Sequence, residues 1–270
     1  MRNLKLTIAY DGTNYVGWQV QPNGLSVQQV VEDAVEQLTR TRTRVFVAGR
    51  TDAGVHAIGQ VANFHTAANI PCHKVKLGLQ RFLPEDVVIR DVEEVAPDFH
   101  STYSATGKRY RYLLLNSRTP NPLLRHYAFR HSAPLDVDLM QEGANYLLGT
   151  HDFRCFETNF PNKATSVRTM HSVSVAREGG WPMWGPPAGP GEETPFVVFE
   201  IVGSGFLYNM VRAIMGTLHK IGQGKWKPER MREIIEAQDR AIAGETAPAQ
   251  GLYLMEVMYD GNVDAVEGSD

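Results

Sequence analysis

The sequence predicts an α+β fold in which two ferredoxin-like βαββαβ halves lay their strands into an extended mixed sheet with helices on one face. Three observations carry that expectation. Over the 270 residues the apolar pattern switches repeatedly between period two and helical spacing, the mark of strands alternating with helices. The order strand, helix, strand, strand, helix, strand occurs twice. Several of the helical stretches also carry a chemical start or stop signal of their own.

In the first half, Leu4, Leu6 and Ile8 alternate with other residues, so residues 3–10 read as a strand. Ser26 is placed as a helix N-cap with Gln29 three residues on. Val27, Val30, Val31, Ala34 and Leu38 then recur at helical spacing. Residues 44–48 and 60–66 read as two further strands. Pro71 suits the first turn of a second helix that carries Val75, Leu79 and Phe82, and residues 87–95 close the half. Residues 96–107 read as a linker.

The second half repeats the order. Residues 108–116 alternate strictly, and 127–131 suggest a short strand. Residues 136–148 form a helix stopped by Gly149. Residues 167–177 and 196–202 pair as a hairpin, a long helix runs over 206–221 and a shorter one over 228–238, and 252–259 is the last strand. Between the hairpin strands, ten of the 17 residues 179–195 are Gly or Pro, interspersed with Trp181, Met183 and Trp184. They read as a long loop inserted into the half. The expected organisation is an N-terminal half over 1–100 with a candidate catalytic loop, a C-terminal half over 101–260 and an acidic tail over 261–270.

Composition narrows the function classes. At 43% hydrophobic and 21% charged residues, the chain is neither collagenous, disulfide-stapled nor mainly disordered. Cys72 and Cys155 belong to no CxxC pair, which suggests reduced thiols and a cytoplasmic location. No run of 18 apolar residues is present, so no membrane span is expected. The net charge of −3 is unevenly spread. Five acids and no Lys or Arg fall in residues 256–270, and without them the remainder is about +2. Residues 37–84 hold seven Lys or Arg and one acid, Asp52, while residues 99–135 hold six and no acid. Folded onto one surface, such stretches attract a polyanion; on separate faces they only solvate the chain.

Three segments can carry chemistry. In AGRTDAGVHAIGQVANF (residues 48–64), glycines allow a tight loop and close approach of a ligand to the backbone. Asp52 is either bonded to its own loop amides or held as an ionised carboxylate by nearby cations, available as nucleophile, base or metal ligand. In GKRYRYLLLN (residues 107–116), Arg109 and Arg111 face one way and Tyr110, Tyr112 and Leu114 the other. Tyr110 lies near the strand start, where a phenol can reach a cleft and stack on a base; Tyr112 reads as core. In GSGFLYNMVRAIMGTLHKIG (residues 203–222), Gly216 lets another segment pack beside Arg212. That guanidinium is either a surface charge or a bidentate partner for a carboxylate. No phosphate loop, zinc spacing or GxSxG elbow is present.

Five pieces in order resemble the TruA family of tRNA pseudouridine synthases: YDGTNYVGWQ, AGRTDAGVHA, DFHSTYSATGKRYRY, NMVRAIMGTL and APAQGLYLMEV. They span nearly the whole chain. The resemblance implies cofactor-free isomerisation of uridine to pseudouridine at positions 38, 39 and 40 of the tRNA anticodon stem-loop, in a basic RNA-binding cleft. It implies Asp52 as nucleophile, Tyr110 stacking on the target uracil with a part in proton transfer, Arg212 pairing with Asp52, and Leu252 lining the pocket. It further implies Arg50 in base flipping, and RNA contacts from Phe99, His100, Ser101, Thr102, Tyr103, Lys108, Arg168, Thr169, Met170, His171 and Ser172. A homodimer with tRNA as its partner, no metal and no membrane attachment completes the expectation. Two other readings remain: a non-catalytic RNA-binding module, for which an acid in a basic cleft is superfluous, and a metal-dependent hydrolase, which needs further carboxylates near Asp52.

Overall fold

The computed structural model describes residues 1–158, 165–178 and 194–259. Residues 179–193 of the expected loop at 179–195, and the expected acidic tail, lie outside the described residues. In chain order the strands are β1 (Arg2–Tyr10), β2 (Phe46–Val47), β3 (His56–Thr66), β4 (Val87–Val95), β5 (Gly107–Asn116), β6 (Phe129–His131), β7 (Gly149–Asp152), β8 (Val167–Glu178), β9 (Phe196–Gly203) and β10 (Leu252–Met258). The α-helices are α1 (Val27–Thr39), α2 (Cys72–Phe82), α3 (Val137–Asn145), α4 (Met210–Gly222) and α5 (Arg230–Ala237). The chain is thus mixed α+β. It divides into two compact units, Met1–Lys108 joined by the described residues from Tyr253 onward, and Arg109–Leu252.

In the first unit the strands run in the order β4, β1, β3, β10, with β2 also pairing β3. β1 is antiparallel to β3 and to β4. β10 is parallel to β3, with Tyr253 opposite His56 and Leu254 opposite Ala57. The alternation of β1 buries Leu4, Leu6 and Ile8. Ser26 caps α1 as its sequence indicates, its side chain accepting from the Gln29 N–H at 3.2 Å. The cap satisfies one of the orphan amides of the first turn.

The segment read as a linker, residues 96–107, is tied to this unit. Asn3 Nδ2 donates to the carbonyls of Ala96 at 3.0 Å and Phe99 at 2.8 Å. Ser101, fully buried, donates through Oγ to the Phe46 carbonyl at 2.6 Å, and its N–H donates to Asn63 Oδ1 at 2.9 Å. Tyr259 OH donates to the Ser101 carbonyl at 2.8 Å. The composition of the segment is loop-like, but buried asparagines on β1 and β3 need partners, and its backbone provides them.

In the second unit the order is β5, β9, β8, β7, with β6 parallel to β5. β7, a four-residue strand, is absent from the sequence reading because one turn separates it from α3. α4 begins four residues later than its apolar pattern suggests. Asn209 stands at φ 60°, left-handed, and ends the preceding turn before the helix starts. Gly216 in α4 lies against residue 245. A Cβ there would be 1.7 Å from the Glu245 carbonyl oxygen, so only glycine permits this approach. Among the described residues, no helix is long and apolar enough to cross a membrane.

Candidate active site

In the first unit Asp52 sits on the loop between β2 and β3. The Val55 N–H donates to the Asp52 carbonyl at 3.1 Å, and Gly54 at φ +77° makes the turn. The carboxylate residue is partly exposed, while the adjacent Thr51 is buried. Three contacts pin Thr51. Its carbonyl accepts from the Trp18 N–H at 3.0 Å, its Oγ1 lies 2.7 Å from Tyr10 OH, and Gly17 packs against its backbone. Gly17 stands at φ +103°, and a Cβ there would be 2.6 Å from the Thr51 carbonyl oxygen. At the other end of the loop, the Gly49 carbonyl accepts from Gln60 Nε2 at 2.8 Å. The Lys108 ammonium lies against Gly49, where a Cβ would be 2.7 Å from Nζ. A cation therefore stands at the start of the loop that carries Asp52, and Arg50 is exposed on the same loop.

The residue after this loop is also fixed. His56 is buried, stacks on Tyr253 at a centroid distance of 4.8 Å, and accepts the Gly12 N–H through Nδ1 at 3.0 Å. The same Nδ1 lies 3.2 Å from Asp11 Oδ1.

The segment 99–103 presents two kinds of side chain. Ser101 and Thr102 are committed to the protein, the latter donating through Oγ1 to the Val47 carbonyl at 2.6 Å. Tyr103 is 84% exposed, and its ring stands 4.4 Å from that of His100. His100 in turn lies 5.0 Å from Phe46, over which the Arg44 guanidinium sits at 5.7 Å. Phe99 instead faces Tyr259 at 5.0 Å. The result is a short aromatic ladder ending in a cation at one end and an exposed ring at the other.

In the second unit Tyr110 is buried on β5, with the Phe206 ring edge-on at 5.0 Å. Tyr112 is a core residue, as its position suggests. It is fully buried and donates to the Pro248 carbonyl at 2.7 Å, and burial holds its phenol well above its usual pKa. Arg212 is no loose surface charge. Its Nε donates to the Ala247 carbonyl at 2.7 Å and its Nη1 to Asn209 Oδ1 at 2.9 Å. Leu252 is buried at the end of this unit. Of residues 168–172, Met170 is buried beneath Gly203, whereas His171 is exposed. Thr169 Oγ1 lies 2.8 Å from Thr150 Oγ1, and desolvation lowers the Arg168 pKa.

A further titratable pair lies at the end of α4. The rings of His131 and His219 meet edge to face at 4.4 Å, and both Nε2 atoms face Gln223 Nε2, at 3.4 and 3.1 Å. Burial first, then the neighbouring His131 and lysines, pushes His219 down to about 4.

Sequence reasoning overlooked Tyr10, Trp18 and Gln60, which hold the Asp52 loop, and Arg44 at the end of the ladder. The one available signal was Gln60 itself, a long polar side chain in a strand whose neighbours Val61, Ala62 and Phe64 are apolar.

A family model described as tRNA pseudouridine synthase matches residues 6–104 and 144–260. A protein from Acetivibrio thermocellus, named tRNA pseudouridine synthase A, is 49% identical over 259 residues, which cover 96% of this chain and all of that one. Proteins of the same name from Pelobacter propionicus and Thermoanaerobacter sp. are 44% and 40% identical over the same shares. Among solved structures, a chain of a Cbf5-Nop10-Gar1 complex matches 80% of this chain and 45% of its own, with a TM-score of 0.33 and 12% identity.

Proposed function

The chain belongs to the tRNA pseudouridine synthase family, isomerases acting on uridine in tRNA, and from that premise we propose that it modifies positions 38, 39 and 40 of the anticodon stem-loop with Asp52 as nucleophile. The observation that supports the nucleophile is the clamped loop. Thr51 and Gly49 are held by hydrogen bonds from Trp18 and Gln60, while the carboxylate residue between them and Gly54 remains partly exposed.

The reaction breaks the bond between ribose C1′ and uracil N1 and forms one between C1′ and C5. A proton leaves C5 and N1 gains one, so no cofactor is needed to balance it. The base must detach, turn and rejoin without escaping, which a covalent partner assists. The target is stacked in an RNA stem and has to be extruded. Arg50, exposed two residues before Asp52, is placed in our reading to hold the extruded state. Tyr110 stacks on the uracil and takes part in proton transfer, Leu252 lines the pocket, and Arg212 pairs with the carboxylate, offsetting the cost of removing it from water. Phe99, His100, Ser101, Thr102, Tyr103, Lys108, Arg168, Thr169, Met170, His171 and Ser172 belong to the RNA-contacting segments. In that role Ser101, Thr102 and Met170 act through their backbone or by holding their neighbours, since their side chains are engaged within the protein. We place the enzyme in the cytoplasm as a homodimer.

The test is pseudouridine mapping on unmodified tRNA transcripts carrying uridine at 38, 39 and 40. Wild type forms pseudouridine at these positions with no added metal, and Asp52→Ala and Asp52→Asn form none while binding tRNA within about threefold of wild type. Turnover by either variant removes Asp52 as nucleophile. Product at other positions only removes the stem-loop assignment.

A further inference from the structure

The loop that carries Asp52 rests on a buried polar chain of Gln60, Tyr10 and Thr51. Gln60 is fully buried, and two neighbours fix its amide orientation. Its Nε2 faces the Gly49 carbonyl at 2.8 Å, which only an N–H can satisfy, and its Oε1 accepts from the Val61 N–H at 3.2 Å. The same Nε2 stands 3.3 Å from Tyr10 OH. The phenol oxygen therefore accepts from Gln60, and the phenol shares a hydrogen bond with the Thr51 hydroxyl, Oγ1 standing 2.7 Å away. Desolvation pushes the Tyr10 phenol up to about 12, so it stays protonated and uncharged across the whole neutral range.

We propose that Gln60 and Tyr10 are positioning residues that act on Asp52 through Thr51, as a hydrogen-bonded relay joining Gln60, Tyr10 and Thr51. This rests on the reading of Asp52 as nucleophile. The relay grips the loop at two points, the Gly49 carbonyl and the Thr51 hydroxyl. The Trp18 N–H grips a third, the Thr51 carbonyl. Thr51 is the last residue before the carboxylate, so an error in its place passes directly to Asp52. A displacement of about 1 Å at a reacting group can cost about a hundredfold in rate. Tyr10, Thr51 and Gln60 are 4%, 7% and 0% exposed. Their contribution is thus to geometry rather than to RNA contact, and their loss should appear in the chemical step and not in tRNA affinity.

The test uses the full chain and three variants, Tyr10→Phe, Thr51→Val and Thr51→Ser. It measures the single-turnover rate of pseudouridine formation, tRNA dissociation constants, and hydrogen exchange at the Trp18 amide. Tyr10→Phe and Thr51→Val are expected to slow the single turnover by about ten- to a hundredfold with tRNA affinity unchanged. Both should also accelerate Trp18 exchange by about tenfold, the equivalent of one hydrogen bond. Thr51→Ser keeps the hydroxyl and with it both readouts, which a purely steric role for threonine would not allow. Wild-type rates in Tyr10→Phe and Thr51→Val, or a Thr51→Ser rate as low as that of Thr51→Val, overturn the relay. A wild type that makes no pseudouridine overturns the proposed function instead. Exchange at Trp18 then decides the relay alone: accelerated, it stands as the support of the loop; unchanged, it falls.

Discussion

Asn209 Oδ1 accepts from Arg212 Nη1 at 2.9 Å, so the left-handed residue before α4 holds the guanidinium of the helix's first turn. An asparagine side chain at this position would ordinarily cap the helix, and here it makes no cap hydrogen bond. It orients Arg212 instead. Asn209→Gly keeps the φ of 60° at no steric cost but removes the acceptor. We expect turnover to fall by about tenfold, with stability within about 1 kcal/mol of wild type. Steady-state rates alongside thermal melts check this.

Gly17→Ala acts on the loop that carries Asp52. The new Cβ would stand 2.6 Å from the Thr51 carbonyl oxygen, at a φ of +103° that alanine avoids. Such strain costs about 1–3 kcal/mol. The expected outcome is a lowered melting temperature together with a turnover loss larger than about tenfold, since the displaced backbone immediately precedes Asp52. Wild-type turnover in a folded Gly17→Ala protein would show that the loop has room to adjust.

Tyr103→Ala should separate RNA binding from stability. The ring is 84% exposed and touches His100, so its loss should change stability by no more than about 0.5 kcal/mol. If it stacks on a base, tRNA affinity falls by about 1–3 kcal/mol, and Tyr103→Phe keeps most of it. Filter binding at fixed salt distinguishes the two variants.

His219 predicts an acid limit. Its folded pKa of about 4 lies below the ordinary 6.5. Between these values the unfolded chain binds the proton more readily, so stability falls as pH drops from about 6.5 towards 4. One such group changes the unfolding equilibrium by up to about tenfold per pH unit. His219→Gln should flatten the melting temperature over this window, while leaving the response to carboxylate protonation, such as that of Asp152 beside Arg154, in place. Parallel curves for the two proteins would remove His219 as the source.

Much of this architecture was legible because its signals are local. The period-two run of Leu4, Leu6 and Ile8 and the Ser26 cap act over a few residues, and both are found where the sequence places them. Gly216 was legible for the same reason, since a glycine in the middle of an apolar helix asks for a close neighbour. What was not legible depends on distant partners. The support of the Asp52 loop joins Tyr10, Trp18 and Gln60 from separate elements, and apart from the polar Gln60 in its apolar strand nothing near them announces the contact. The segment 96–107 looked like a linker because its anchors, Asn3 and Asn63, lie far away in sequence. The commitment of Ser101 and Thr102 to β2 carbonyls was hidden likewise, so a stretch of residues with one expected role divides into anchors and a half-buried aromatic ladder that ends in the exposed Tyr103.

β10 has a consequence for synthesis of the chain. Tyr253 and Leu254 lie beside His56 and Ala57, about 200 residues earlier, and Tyr253 stacks on the buried His56. A chain emerging from the ribosome completes β1 to β4 long before this strand is translated, at about 5–20 residues per second. For that interval the side of β3 just after the Asp52 loop has no neighbour at residues 56 and 57. The nascent protein thus carries its carboxylate loop on an unfinished sheet, and a ribosome stalled before residue 253 would hold a product in which His56 lacks its stacking partner.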